Sequence, residues 1–188
     1  MVPFATEYLT AFQKCLTVLD REAIDRTAVG LRAVRELNGR VFVLGNGGSA
    51  ANASHFVNDL RKICHIEAYC PTDNVAEFSA RMNDEPHATV FKNWLLTSQL
   101  SAADGIFVLS VNGGTPTISR NLNEAIYEAK IWGARVFGIV GAPGGMTAAH
   151  ADYCVLVPTV EDALITPFVE SMQAVVWHCL VNHPELKV

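Results

Sequence analysis

The spacing of apolar residues changes character along the chain. Near the N-terminus Tyr8, Leu9, Phe12, Leu16 and Leu19 recur at helical intervals, and Ile24, Val29, Leu31, Val34 and Leu37 repeat the pattern after Asp20. Asn38-Gly39 closes the second stretch, so a helical hairpin is expected over about 5–38. Five short runs rich in β-branched and aromatic residues follow: "RVFVLG" from Arg40, "HIEAYC" from His65, "GIFVLS" from Gly105, "RVFGIVG" from Arg135 and "YCVLVP" from Tyr153. Helical patterns separate them, at about 49–62, 74–100 in two pieces, 116–132, 146–150 and 163–183. Strands that alternate with helices, and are apolar at every position, belong in a parallel sheet covered on both faces. The expectation is one α/β domain over 1–188, layered αβα around a five-stranded parallel sheet, with its core elements at about 40–183.

Composition narrows the function classes. Half of the 188 residues are hydrophobic, yet the longest apolar runs fall short of the ~18–20 residues that cross a bilayer, which predicts a soluble protein with no membrane partner. A net charge of -5 without a dense basic stretch argues against nucleic acid, whose phosphates need clustered Lys and Arg. Cys15, Cys64, Cys70, Cys154 and Cys179 form no CxxC pair and are odd in number, as expected of free thiols in a reducing cytoplasm. The first residues carry Glu7 and lack a basic segment followed by an apolar one, so no secretory signal is expected.

In open parallel sheets ligands bind beyond the carboxyl ends of the strands. Two strand ends carry unusual chemistry. The chain leaves "VFVL" through "GNGGS" into a helix starting near Ser49, and it leaves "IFVL" through "SVNGGTPTIS", where Thr115 suits an N-cap and Pro116 the first helical position. Both stretches offer backbone N–H groups, hydroxyls and a helix N-terminus to an anion. Neither fits GxxxxGK[ST] or GxGxxG, so a phosphomonoester suits them better than a nucleotide. Turn geometry and capping alone account for one such loop; two in one small domain favour anion binding.

His55 and Asp59 stand at i, i+4 on the helix after the first loop, a spacing that serves a metal, an acid/base pair or an ordinary surface hydrogen bond. The last helix places Glu170 and His178 in the apolar setting "FVESMQAVVWHCLV". Eight helical residues rise ~12 Å, so those two share one ion only at full stretch, and cooperation between them implies ligands from more than one subunit. His65, His87, His150 and His183 lie near element boundaries and are expected at the surface or in caps.

"GNGGSAANASHFVNDL", "TDNVAEFSARMND", "LSVNGGTPTISRNLNEA" and "GARVFGIVGAPGGMTAAHADYCVLVP" together resemble the SIS (sugar isomerase) fold and, within it, the phosphoheptose isomerase family, from about residue 5 to 182. The resemblance implies a flavodoxin-like SIS domain that converts sedoheptulose 7-phosphate to D-glycero-D-manno-heptose 7-phosphate for lipopolysaccharide or other surface glycans. It also implies a cytoplasmic, zinc-dependent (Zn2+) homotetramer with active sites between subunits. Carried over by position, it assigns substrate binding to Asn46, Gly47, Gly48, Ser49, Asn83 and Asp84, and to Ser110, Val111, Asn112 and Thr115 of the phosphate loop. It makes Asp59 and His178 catalytic, and makes His55, Asp59, Glu170 and His178 metal ligands, with Glu170 also meeting substrate.

The departures are specific. The family's catalytic glutamate is Asp59, its glutamine is Glu170, and Val111 and Asn112 replace two hydroxyl residues of the S-T-S-G-N-S phosphate loop. Regulatory relatives of the same fold keep the pocket without catalysis, so the alternative is a non-catalytic phosphosugar-binding regulator, of the replication-initiator-associating type or a sugar-phosphate sensor. A retained set of acid/base and metal-ligating groups is what separates the enzyme from the sensor.

Overall fold

The computed structural model describes residues 2–188. Alternation along the strands assigns the two faces of one parallel sheet, built from β1 (Val41–Gly45), β2 (Ala68–Tyr69), β3 (Gly105–Ser110), β4 (Arg135–Gly141) and β5 (Tyr153–Val157). Val41 and Val43, Phe107 and Leu109, Phe137 and Ile139, and Val155 and Val157 point to one side, where α2 (Arg21–Glu36), α3 (Gly48–Cys64) and α8 (Ile165–Val181) cover them. Phe42 and Leu44, Ile106 and Val108, and Val136 and Val140 point to the other, under α5 (Val90–Thr97) and α6 (Arg120–Ile131). Nearly all of these strand residues are fully buried, so neither face meets solvent. The expected three layers and five strands are present.

The strand order is β2-β1-β3-β4-β5. The direction of winding reverses between β1 and β3, so the segments after these two neighbouring strands part at their carboxyl ends, the place where open parallel sheets bind ligands. At their amino ends the same strands are pinned by an ion pair between partly exposed Arg40 and buried Asp104. Asp104, 2% exposed, accepts from the Arg40 backbone N–H at 2.8 Å, Arg40 Nε at 3.1 Å, Arg40 Nη2 at 2.8 Å and the Ser101 N–H at 2.9 Å. Burial pushes the Asp104 carboxyl up, but the Arg40 and Ser101 donors outweigh it and hold the group below the usual carboxylate range.

Asp20 caps α2 by accepting from the Ala23 N–H at 3.2 Å, as its place in the sequence predicts. α1 (Phe4–Val18) buries only Cys15 and touches the core through Tyr8 and Phe12, edge-on to Phe168 at 5.1 and 5.2 Å. α4 (Val75–Asp84) buries no residue, and α7 is the short helix Gly145–His150.

Two expectations change. The helix expected from residue 116 begins at Arg120, because Thr115 caps a local turn instead: its Oγ1 accepts from the Thr117 and Ile118 N–H groups at 3.3 and 2.9 Å. One stretch, Asp162–Val181, is in fact apolar and long enough to cross a membrane by composition. It is a core helix here, since Phe168, Val169, Met172, Val176, Trp177, Leu180 and Val181 all bury against the sheet layer.

Candidate active site

α3 and α8 lie side by side over the sheet and run the same way. Gly48, at the start of α3, meets Glu170, while Asp59, eleven residues on, meets Trp177. Between these ends polar side chains zip the helices together: Asn52 Nδ2 donates to the Glu170 carbonyl at 3.0 Å and to Gln173 Oε1 at 2.8 Å, and Gln173 Nε2 donates to Ser49 Oγ at 3.1 Å. Gln173 is fully buried and Ser49 2% exposed, so each of these groups needs its partner.

At the far end His55, Asp59 and His178 converge, with one ligand-type atom of each within 4.8 Å of the others. His55 Nε2 and His178 Nε2 both lie 3.6 Å from Asp59 Oδ2. His178 Nδ1 donates to the Ala174 carbonyl at 2.8 Å, so Nε2 is the ring atom that faces Asp59. The imidazoles are half exposed and the carboxylate is 6% exposed, so an incoming molecule meets the rings first. Two imidazoles and one carboxylate are the donor set of open catalytic zinc sites, and the 3.6 Å separations approach the ~3.3 Å edge of a tetrahedron with ~2 Å bonds. The residues fit a divalent ion.

The glycines of the first loop have separable reasons. Gly47, at φ 59°, faces open space, while a Cβ on Gly48 would lie 2.6 Å from the Glu170 carboxylate. The first loop is also joined to the second crossover: Asn46 and Asn121 exchange amide hydrogen bonds at 3.1 and 2.9 Å. In the second loop the glycines make room for protein, since Cβ atoms on Gly113 and Gly114 would fall 1.9 Å from the Gly144 carbonyl and 2.1 Å from Asn123 Oδ1. Several of its donors are already engaged: the Gly113 N–H donates to Ser110 Oγ at 3.1 Å, the Gly114 N–H to Asn112 Oδ1 at 3.0 Å, and the Thr115 N–H to the Ile118 carbonyl at 2.8 Å. The hydroxyl hydrogens of Ser110 and Thr115 and the amide Nδ2 of Asn112 are side-chain donors that residues 110–115 offer an anion.

The sequence-predicted residues therefore fall into groups. His55, Asp59 and His178 come together; Gly48 and Glu170 come together at the other end of the helix pair, and Glu170 is not among the three clustered side chains. Ser49 turns toward Gln173, and the Val111 carbonyl sits against Gly141. Asn83 and Asp84 end α4, hydrogen-bonded to each other at 2.7 Å and exposed. Asn52, Asn121, Gln173 and Trp177 were not expected at the site. Gln173 was the readable one, as a further polar residue beside Glu170 and His178 on a largely apolar helix.

Two glycine loops at the reversal of a doubly wound sheet, with a His/Asp/His cluster further along the helices α3 and α8, are the arrangement of an α/β domain of the sugar-isomerase kind. Residues 6–141 match the SIS domain family, and the chain belongs to it and to its phosphoheptose isomerase branch. The phosphoheptose isomerase of Rhodospirillum rubrum is 31% identical over 167 residues, covering 84% of this chain and 82% of that protein. The lincomycin biosynthesis protein LmbN of Streptomyces lincolnensis is 34% identical over 154 residues, 76% of this chain, and the match spans only 54% of that longer protein. Phosphoheptose isomerase GmhA of Neisseria gonorrhoeae shares the fold at a TM-score of 0.80 and 24% identity, covering 94% of this chain and 93% of that one.

Proposed function

We propose that this chain is an aldose-ketose isomerase acting on a sugar phosphate, interconverting sedoheptulose 7-phosphate and D-glycero-D-manno-heptose 7-phosphate. The observation that carries the reading is the convergence of His55 and Asp59, on the helix that starts from the glycine loop, with His178 on α8. A module that only bound phosphosugars would have no use for a buried carboxylate between two imidazoles. The named relatives point to the same substrate class.

Ser110, Asn112 and Thr115 take the phosphate, and Asn46, Gly47 and Glu170 line the sugar chain. Asp59 removes a proton from C1 of the ketose; the C–H pair becomes the C1=C2 bond as O2 gains a proton from His178, giving an enediol. The proton of O1 then passes to His178, C2 receives one from Asp59, and the aldose forms. When bound, Zn2+ held by His55, Asp59 and His178 would polarise the carbonyl and stabilise its developing charge. A nitrogen that ligates cannot also carry a proton, so ligation and proton transfer by His178 exclude each other at any instant.

The protein works in the cytoplasm as a homo-oligomer, a tetramer, with Asn83 and Asp84 serving a neighbouring copy's site. Support comes from α4, which buries nothing, from Phe4, Leu9 and Val18, exposed on α1, and from the open imidazoles. The test is incubation of zinc-loaded protein with sedoheptulose 7-phosphate, following aldose signals by proton NMR with a chelator control. Aldose formation is expected, slowed by the chelator; tight binding of the sugar phosphate without turnover would replace the enzyme by a sensor.

A further inference from the structure

Trp177 touches the His/Asp/His cluster although it can neither ligate nor titrate. It is 2% exposed, and its Nε1–H donates to Asp59 Oδ2 at 3.2 Å. Its ring centroid lies 5.3 Å from that of His55 and 5.0 Å from that of His178, and it stacks on Phe56 at 6.2 Å with planes 23° apart. Asp59 Oδ1 accepts from Asn58 Nδ2 at 3.0 Å, so each carboxylate oxygen has one amide-type donor, and the buried one is the indole.

The packing at this position needs only an apolar ring; the hydrogen bond needs an indole. A carboxylate oxygen 3.6 Å from two imidazole nitrogens keeps that place only if its torsions are fixed, and outer donors to such groups set ligand affinity and orientation. We propose that Trp177 is a positioning residue, whose indole N–H holds the Asp59 carboxylate so that Oδ2 stays equidistant from His55 Nε2 and His178 Nε2. The inference rests on the cluster being the ion-binding and proton-transfer centre described above.

The test compares the full chain with Trp177→Phe, reading zinc affinity by competition with a chromophoric chelator, kcat and KM for isomerisation, and the melting temperature. The expected result is zinc binding and kcat each weakened about tenfold, with KM changed by no more than about twofold and the variant still folded. Trp94→Phe, the same ring change in the core on the other face of the sheet, should lower the melting temperature while matching the parent in zinc affinity, kcat and KM. Should Trp177→Phe fail to fold, 3-benzothienylalanine at position 177 keeps the ring outline and replaces only the N–H by sulfur. Parent-like zinc affinity and kcat in the folded variant would overturn the proposal. A parent that isomerises without zinc leaves kcat to decide it; a parent that neither binds zinc nor isomerises removes the functional reading and this role with it.

Discussion

Two adjacent glycines in the first loop should respond to the same added methyl through different quantities, Gly47 in stability and Gly48 in turnover. Gly47 has φ 59° and ψ -127°, with nothing within 4 Å of a built Cβ, so alanine meets backbone strain and no atom. That strain is worth about 1–3 kcal/mol, and Gly47→Ala should lower stability by about 2 kcal/mol. Gly48 is already helical, and its Cβ would meet Glu170 Cδ, Oε1 and Oε2 at 2.6 Å. Those atoms are the far end of a flexible side chain that can swing away. Losing a carboxylate from a helix N-terminus costs about 0.3–1 kcal/mol, while alanine improves on glycine within a helix by about 0.5–1 kcal/mol. The two offset, so Gly48→Ala should stay within about 1 kcal/mol of the parent while displacing the carboxylate, with turnover of sedoheptulose 7-phosphate falling about tenfold or more. Urea denaturation and NMR turnover assays read the two quantities, and Glu170→Ala supplies the cycle: in that background Gly48→Ala should have little further effect on turnover. A loss above about 2 kcal/mol in Gly48→Ala, or additive losses of turnover with Glu170→Ala, would refute the assignment of that space to Glu170.

Asp59→Asn and His178→Gln should each lower kcat about 10²-fold or more, measured with sedoheptulose 7-phosphate; parent rates in both would sink the proton-transfer scheme. Asp104→Asn should cost about 1–2 kcal/mol at neutral pH, because it removes the charge from the buried partner while Arg40, partly exposed, keeps the Ser98 and Gln99 carbonyls. Since the Asp104 carboxyl is held below its ordinary value in the fold, its contribution is full above about pH 4 and fades in acid, so parent and variant urea midpoints should converge as pH falls. Burial pushes the thiols of Cys64 and Cys154 up to about 11, so near-neutral iodoacetamide should alkylate exposed Cys179 and spare them, as peptide mass spectrometry would show.

The sheet was legible because burial on both faces leaves continuous apolar runs, and four of the five strands fall within a residue of "RVFVLG", "GIFVLS", "RVFGIVG" and "YCVLVP". "HIEAYC" shrinks to Ala68–Tyr69 because it is an edge, where Glu67 and Tyr69 already face solvent. The start of α6 was misread through Thr115-Pro116, a sound capping signal spent on a turn, since the helix must place Asn121 opposite Asn46. His55 and Asp59 were readable from their i, i+4 spacing. Trp177 was not, because its one polar contact joins residues 118 apart and its neighbours in sequence are all apolar or already accounted for. Glu170 was visible as a charge in an apolar helix, but its place at Gly48 depends on how α3 and α8 align, which spacing within one helix does not encode.

The paired amides of Asn46 and Asn121 have a consequence for size selection. Because each donates to the other, the two crossover segments are clasped back to back, and neither can drift without breaking both bonds. Under the proposed phosphate and proton-transfer sites, a clasp that holds the first loop in place favours one chain length, and sugars one carbon shorter or longer should turn over more slowly.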